Sequence, residues 1–574
     1  GVAVGALYSN GMMEIARNGI FTPSMFSFND VIIIFLAVMI TDVLLLDVFN
    51  TLGLPTSTTV SVIFSLLGAS VALAVYKVYV SGDSFSTLGN YINTEKASEI
   101  VYSILLSVAL SFALGSLVQY VSRLIFTFHI EKRYKYVAAL FGGVAMTAIT
   151  FFILVKGLKS ITFVPSEVKD FIKESPLTII AYSLILWTIV CQLLISVFKY
   201  SVFKFIIIVG TFGLALAFAG NDLVNFIGVP IAAYQAFEIW AAPGQTVGAT
   251  EFMMSGLEKE NLPAPFIFLA LAGLVMVYTL WTSKKAKSVI ETEQNLSRQG
   301  EGNEKYNANT LSRNLVRAMM YLGNIISFIL PKSLQRKLDA QFVQPEYTGK
   351  RDEQPMFDMV RASVNLIVAS ILISVGTSMK LPLSTTYVTF MVAMGSSFAD
   401  RAWDRESAVY RVAGVFNVIG GWFVTALAAF LSSAIIAYTL FIGEVFAFFA
   451  FMIVVAIFFY RSNQLHKKKV KEQEEIKSLR KEDILTIKEM ITESSSQISK
   501  VLHKTSTLYT NVIDNLGLQD LAKLKENKKS HKKLEKEIDE LKSNVFYFIK
   551  NLDETSVEAS RFYILILGYL QDMV

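Results

Sequence analysis

The sequence predicts an all-α fold: a polytopic membrane protein with inverted repeats and re-entrant or broken helices, followed by a soluble helical C-terminal tail. Three observations lead there. Of 574 residues, 53% are hydrophobic and only 17% charged, with a mean hydropathy of +0.49, whereas a soluble domain carries roughly 25% charge. Such a chain has more apolar surface than its own core can hide, so it needs lipid. Prolines interrupt apolar runs at Pro55 and Pro382, and broken helices at membrane depth are tolerated only where they line a cavity or pack within protein. Beyond residue 460 the composition turns to Lys and Glu, with apolar residues recurring at helical spacing. These features exclude a soluble enzyme, a disordered scaffold and a collagen-like fibre.

A crossing helix takes about 20 apolar residues, and about eleven such segments begin near Val31, Val60, Ile100, Val137, Thr178, Phe205, Phe266, Val364, Tyr387, Val412 and Val445. The run from Phe205 stops at Gly220. Residues 1–282 hold the first part of the membrane domain, and 283–356 form a polar loop. That loop contains a flexible Gly300–Asn309 linker and an amphipathic helix from Leu311 to Leu338. Residues 357–460 complete the membrane domain, and 461–574 form a tail whose amphipathic helices bury one face each in a bundle. Basic clusters at Arg123–Lys135, Lys284–Lys287 and Arg461–Lys471 place those loops and the tail in the cytoplasm. The chain opens on Gly1 inside an apolar stretch and stops inside another, so both ends read as cut.

Several chemistries lack their residues. Cys191 is the single cysteine, which leaves neither an internal disulfide nor a cysteine zinc site. His129, His466, His503 and His531 follow no metal-ligand spacing, and neither a P-loop nor a dinucleotide loop occurs. Nothing points to an enzyme or to a cofactor. Lys alternates with Glu in the tail, which fits solvated helix faces and not nucleic acid.

Two segments match at a fixed offset: GLPTSTTVSVIFSLLGAS from Gly53 and KLPLSTTYVTFMVAMGSS from Lys380. Pro55 aligns with Pro382, Ser57 with Ser384, Thr58 with Thr385, Thr59 with Thr386, and Gly68 with Gly395. Interrupted segments in corresponding positions of two halves point to a transporter's binding site at the repeat interface. A hydroxyl both donates and accepts, so these residues suit an oxyanion through O–H or an alkali ion through lone pairs. A helix starting after each proline adds N–H groups and a positive dipole end. The plain alternative is that the hydroxyls cap their helices.

A third motif, AGNDLVNFIGVPIAAYQA from Ala219, places Asn221, Asp222 and Asn225 after an apolar run. An ionisable group at membrane depth is costly and marks function, while Asn-Asp at a helix start is also an ordinary cap. Asp42, Asp47 and Asn50 precede Pro55, and Asn365 precedes Pro382; these are candidates for cation coupling or proton carriage. Arg361 reads as interfacial, and Glu14 with Arg17 as a surface pair.

Gly220–Asn225, Ile227-Gly228 and Pro230 resemble the G-A-N-D-x-A-N-A-x-G-P signature of the inorganic phosphate transporter (PiT) family. The P-x-S-T-T elements at Pro55 and Pro382 resemble its P-I-S-x-T-H elements. The likeness runs over most of residues 1–460. It implies ion-coupled phosphate symport by two inverted repeats with re-entrant hairpins, possible homodimers, and a multi-pass place in the cell membrane. It also implies that Asn221, Asp222 and Asn225 are signature residues and Ser57, Thr58, Thr59, Ser384, Thr385 and Thr386 the hydroxyl elements. The family's terminal histidine is Val60 in one copy and Tyr387 in the other. A first N-D signature is expected upstream of Gly1. Ala559–Met573 resembles a PhoU-like helical domain.

The expectation is phosphate uptake by alternating access. Ser57, Thr58, Thr59, Ser384, Thr385, Thr386, Asn221 and Asn225 hold the anion. Asp222, with Asp42, Asp47, Asn50 and Asn365, handles Na⁺ or H⁺, and Asp222 is the Na⁺ ligand. The alternatives are another oxyanion such as sulfate, or a phosphate sensor that does not transport.

Overall fold

A computed structural model describes the chain except at residues 8, 10–12, 53–55, 129–130, 156–173, 260–261, 263, 284–289, 291–292, 295, 300–308, 330, 344–354, 380, 382, 404–406, 481–486, 551–568 and 570–574. Pro55, Pro382, most of the linker and, but for Tyr569, the PhoU-like stretch therefore lie outside the described residues. The described residues are helical, with two isolated bridges at Phe21–Ile92 and Ser27–Met253. They form two compact units, Gly1–Lys467 and Lys468–Val574.

In the first unit the helices are α1 (Val2–Leu7), α2 (Met13–Asn18), α3 (Phe28–Leu52), α4 (Thr58–Ser81), α5 (Leu88–Tyr91), α6 (Thr94–Ile125), α7 (Glu131–Ile149), α8 (Pro176–Ser196), α9 (Val202–Ala241) and α10 (Phe266–Thr282). They continue with α11 (Thr310–Ile329), α12 (Lys332–Gln341), α13 (Met359–Ser378), α14 (Thr385–Ala399) and the part of α15 (Ser407–Arg480) up to Lys467. Among the described residues, 7 helices are long and apolar enough to cross a membrane, and Val137–Phe152 and Phe266–Thr282 are shorter apolar helices.

Several expectations are corrected here. The helix from Val202 does not stop at Gly220; it runs 40 residues to Ala241. Gly220 is helical like its neighbours, and the close approach of α1 to this stretch is made by Gly5, where a Cβ would come within 2.3 Å of Leu216 O. The runs at Val412 and Val445 remain two helices, joined within α15 across a kink at Glu444, whose backbone is not helical (φ 44°, ψ −127°). The amphipathic helix expected from Leu311 to Leu338 is two, because Pro331 caps α12 and has no N–H with which to continue α11. Arg123 is fully buried at the end of α6 and belongs to no loop. Arg17 is buried too, at 2% exposure, and donates to Leu262 O at 3.4 Å.

The two repeats form helical hairpins that enter from opposite ends of α9. Hairpin α3–α4 starts where Phe28 stacks on Trp240 at 4.6 Å and Asn29 N donates to Ala249 O at 3.0 Å. Hairpin α13–α14 starts at the other end, where Val360 packs with Phe203 and Phe126. Each hairpin is tied at its base, by Lys77–Asp30 at 2.5 Å in one and Arg361–Asp400 at 3.0 Å in the other. The aligned glycines do the same work in both. A Cβ on Gly68 would come 2.1 Å from Phe430 O of α15, and one on Gly395 2.3 Å from Phe112 O of α6. Only glycine lets those backbones approach so closely.

In the second unit, α16 (Ile487–Gly517) and α17 (Leu521–Lys550) form a helical hairpin. Asp520 caps α17 by accepting from Ala522 N and Lys523 N, both at 3.1 Å. Val501, Leu534 and Ile538 are buried.

Candidate functional site

Each hairpin tip is set by a capping serine. Ser57 accepts from Val60 N at 3.1 Å and starts α4; Ser384 accepts from Tyr387 N at 3.2 Å and starts α14. Both serines are 1% exposed. They shape the tips, and the following threonines face α9. An N-terminal helix turn keeps free N–H groups and a positive dipole end, so both tips are electropositive.

The tips meet at Asn221, Asp222 and Asn225, halfway along α9. From the first hairpin, Thr58 and Thr59 accept from Asn225 Nδ2 at 3.1 and 2.9 Å. From the second, Thr385 Oγ1 donates to Asp222 Oδ2 at 2.5 Å. Asn221 Nδ2 donates to Leu383 O at 2.9 Å and to Asp222 Oδ1 at 3.1 Å. Thr59 Oγ1 reaches the same Leu383 carbonyl at 3.2 Å. The first hairpin therefore touches the second directly, across the signature residues. Positions 221, 222 and 225 sit on one helix face by their spacing, which is why one rod can serve both tips.

The cluster gathers one carboxylate, three threonine hydroxyls, two amides and a carbonyl. These are hard oxygen ligands for a cation, set beside two positive helix ends that suit an anion. Among the described residues there is no group of three or more His, Cys, Asp or Glu able to hold a metal. What the cluster offers a cation is hydroxyls, amides and carbonyls around one acid.

The remaining candidates lie elsewhere. Thr386 is half-buried and its carbonyl accepts from Thr389 at 3.2 Å. Asp42 bonds to Ser61 and Ser65 inside the first hairpin and to none of the signature residues. Asp47 is half-buried and Asn50 exposed near the end of α3. Asn365 on α13 is half-buried, and its buried Oδ1 takes no hydrogen bond. Val60 and Tyr387 fill apolar space, Tyr387 stacking on Trp422 at 3.6 Å. Sequence reasoning missed Thr377, which donates to Asn221 Oδ1 at 3.4 Å, and the Leu383 carbonyl. Thr377 carries a signal, a hydroxyl in the last turn before a break; a backbone carbonyl carries none. The i, i+4 serines at 61 and 65 were also legible as a polar stripe on an apolar helix.

A sequence profile of the phosphate transporter family matches residues 2–292. The chain belongs to the phosphate transporter family. The match takes in the first hairpin and the whole of α9. No curated protein matches the sequence. A solved structure described as the sodium-dependent phosphate transporter is similar in fold, with 16% sequence identity and a TM-score of 0.51, over 77% of this chain and 88% of that one. Family and helices together make this a multi-pass membrane protein.

A second polar cluster lies at the base of the α13–α14 hairpin. Arg123 donates to Asp400 at 2.8 and 2.7 Å and to Asp358 at 2.8 and 3.0 Å. Gln119 donates to Asp400 at 2.8 Å, and Arg361 to Asp400 and to Ser297 O, at 3.0 and 2.7 Å. Burial pushes the Asp358 carboxyl up, but hydrogen bonds and charge from Arg123 outweigh it and hold the group below the usual carboxylate range. Arg361 is thus fully buried and paired within the protein.

Proposed function

We propose that this protein takes up inorganic phosphate together with Na⁺ by alternating access. The observation that carries the reading is the convergence of both hairpin tips on Asp222 and its two asparagines. Thr58, Thr59 and Thr385, with the first-turn N–H groups of α4 and α14, supply donors for phosphate oxygens. Ser57 and Ser384 hold those turns in place. Asp222 supplies oxygens to Na⁺, and Asn221 and Asn225, which the sequence reading gives to the anion, are reassigned to the cation because their amide nitrogens already donate to Leu383 O, Asp222, Thr58 and Thr59. Each ion offsets the other's cost of leaving water, so neither binds well alone, and that mutual dependence is the coupling. The direct contact of the tips through Leu383 O is what must part for the site to open.

The tail from about Glu472 regulates this transport from the cytoplasm and forms no part of the pore. Its described helices have apolar stripes that meet each other.

Radiolabelled phosphate uptake into vesicles bearing the full chain, with Na⁺ and pH gradients varied separately, tests the reading. The expected result is uptake driven by Na⁺, insensitive to excess sulfate, and abolished in a correctly inserted Asp222→Asn protein. Equal competition by sulfate, indifference to Na⁺, or normal uptake by Asp222→Asn would overturn it. Deletion after residue 470 is expected to leave the ion dependence intact while changing the rate or the response to internal phosphate.

A further inference from the structure

Inside the first hairpin, Asp42 of α3 faces two serines of α4. Ser61 Oγ donates to Asp42 Oδ1 at 2.5 Å, and Ser65 Oγ donates to the same oxygen at 3.3 Å. Asp42 is 8% exposed and both serines 0%. Val38, Val62, Leu66 and Ala69 belong to the apolar cluster of the same two helices. The second carboxylate oxygen takes no hydrogen bond among the described residues.

The other hairpin has none of this. At the offset that aligns Pro55 with Pro382, Asp42 falls on Ala369, Ser61 on Val388 and Ser65 on Val392. Those three residues are 2%, 0% and 0% exposed and share one apolar cluster with Val364, Val368 and Ile373. Packing at this level is thus satisfied by one alanine and two valines. In the first hairpin all three positions are polar together and point at one another. A buried carboxylate without a cation is costly, so three matched polar residues at a place the fold fills with hydrocarbon call for a chemical reason.

We infer that Asp42, Ser61 and Ser65 form a proton site peculiar to the first hairpin, and that its proton takes part in the transport cycle. The inference rests on the transport reading above. Two neutral hydroxyls on Oδ1 are all that this buried site offers to offset a charge, which favours holding a proton, and Oδ2, without a hydrogen bond, has room to carry it. A sodium ion between Asp42 and the serines needs the 2.5 Å contact to open; a proton needs no room. In the step, an O–H bond of a hydronium ion breaks on one side as the Oδ2–H bond forms, leaving water, and on the other side the Oδ2–H bond breaks as an O–H bond to a water molecule forms, giving hydronium again. Thr58, Ser61 and Ser65 lie at i, i+3 and i+7 on one face of α4. The proton site is therefore one turn, about 4.5 Å of rise, behind the threonine that holds Asn225.

Other charged or titratable groups on the neighbouring elements are Asp30 and Asp47 on α3 itself, Tyr76, Lys77 and Tyr79 toward the far end of α4, and Tyr91 on α5. The α9 helix carries Lys204, Asp222, Tyr234 and Glu238, α14 carries Tyr387, and α15 as far as Arg461 carries Tyr410, Arg411, Tyr438, Glu444, Tyr460 and Arg461. None is hydrogen-bonded to Asp42, and Lys77 is committed to Asp30.

The test uses the full chain, wild type and two variants: Asp42→Asn, and the triple change Asp42→Ala, Ser61→Val, Ser65→Val. The triple variant installs the side chains that the second hairpin already packs, which guards against misfolding. Infrared difference spectra of purified protein across pH read the C=O stretch of a protonated carboxyl group without requiring transport. The expected result is a titrating band that both variants lose and Asp222→Asn keeps. Phosphate uptake at a fixed Na⁺ gradient is expected to vary with pH by up to about tenfold per unit, the limit for one obligatory proton, and this dependence flattens in both variants. An unchanged band or an unchanged pH profile in both variants overturns the proton site. Loss of Na⁺ dependence with the pH profile intact makes the triad a sodium site, which also overturns it. If the wild type moves no phosphate, the transport reading fails and takes the proton's place in the cycle with it, while the infrared band still decides whether Asp42 holds a proton.

Discussion

Hairpins α3–α4 and α13–α14 begin their second helices on the same capping serine, send a threonine from the same motif to α9, and press an aligned glycine against a neighbouring backbone. Away from the tips they part company. At the base, the first hairpin is closed by Lys77 and Asp30, with side chains 26% and 5% exposed, and the second by Arg123, Asp400 and Arg361, all at 0%. In the body, the first holds Asp42 and two serines where the second holds Ala369, Val388 and Val392. Duplication supplies a tip that serves binding in either orientation, and divergence of the bodies gives the two hairpins different jobs. One is anchored by a buried ionic cluster, and the other carries an acid in its interior.

The largest effect separating them is expected at the bases. Asp400→Asn leaves buried Arg361 without its carboxylate partner and Arg123 with Asp358 alone, and breaking a buried pair in this way costs about 3–5 kcal/mol. Lys77→Met opens a partly exposed pair and is expected to cost about 1 kcal/mol or less. Thermal unfolding of the purified proteins compares the two directly; equal losses would remove the distinction between an anchored and a lightly tied hairpin. The second base also resists acid in a defined direction. Because Asp358 is held below its ordinary value, its contribution is full above the unfolded carboxylate range and disappears only as pH falls through the lowered native value. An acid titration of wild type against Asp358→Asn reads this as a stability difference that vanishes at low pH.

A smaller asymmetry is expected at the tips. Thr385 donates to a carboxylate, whereas Thr58 accepts from an amide. A hydrogen bond to a charged group is worth about 1.5–3 kcal/mol and a neutral one about 0.5–1.5. Thr385→Val should therefore weaken phosphate or Na⁺ affinity by roughly tenfold to a hundredfold, and Thr58→Val by roughly tenfold at most. Equal losses in uptake titrations would mean that the bound state makes both hydroxyls equivalent. The smallest effect belongs to the caps: Ser57→Ala and Ser384→Ala are each expected to lower stability by about 1 kcal/mol, and to do so alike. A large difference between them would break the shared-tip half of the comparison.

Much of this was legible in the sequence, for physical reasons. Lipid imposes long apolar runs, and the matched proline–hydroxyl elements announce the repeat, so the helices and the three motifs were visible. The signature residues and Thr58, Thr59 and Thr385 do meet at one place. What was hidden involves partners distant in sequence. Gly220 reads as a break within its own run, yet α9, packed along its length by α1, α3 and α13, passes straight through it. Arg123 reads as a loop charge until Asp358 and Asp400 are brought to it by the second hairpin. The role of Leu383 is a backbone carbonyl, which side-chain chemistry cannot announce.

The unbroken course of α9 has a mechanical consequence. At 40 residues it is about 60 Å long, and it carries the signature residues rigidly at its middle. One weak joint interrupts that stiffness. Pro230, inside the helix, withholds the N–H that the carbonyl of Phe226 would take. From Pro230 to Trp240 is a lever arm of about 15 Å, ending where Phe28 stacks at the root of the first hairpin. A swing of about 10° at that joint displaces the root by roughly 3 Å while Asn221, Asp222 and Asn225 stay still. The same helix can thus act as a fixed bearing on one side of the proline and as a crank on the other.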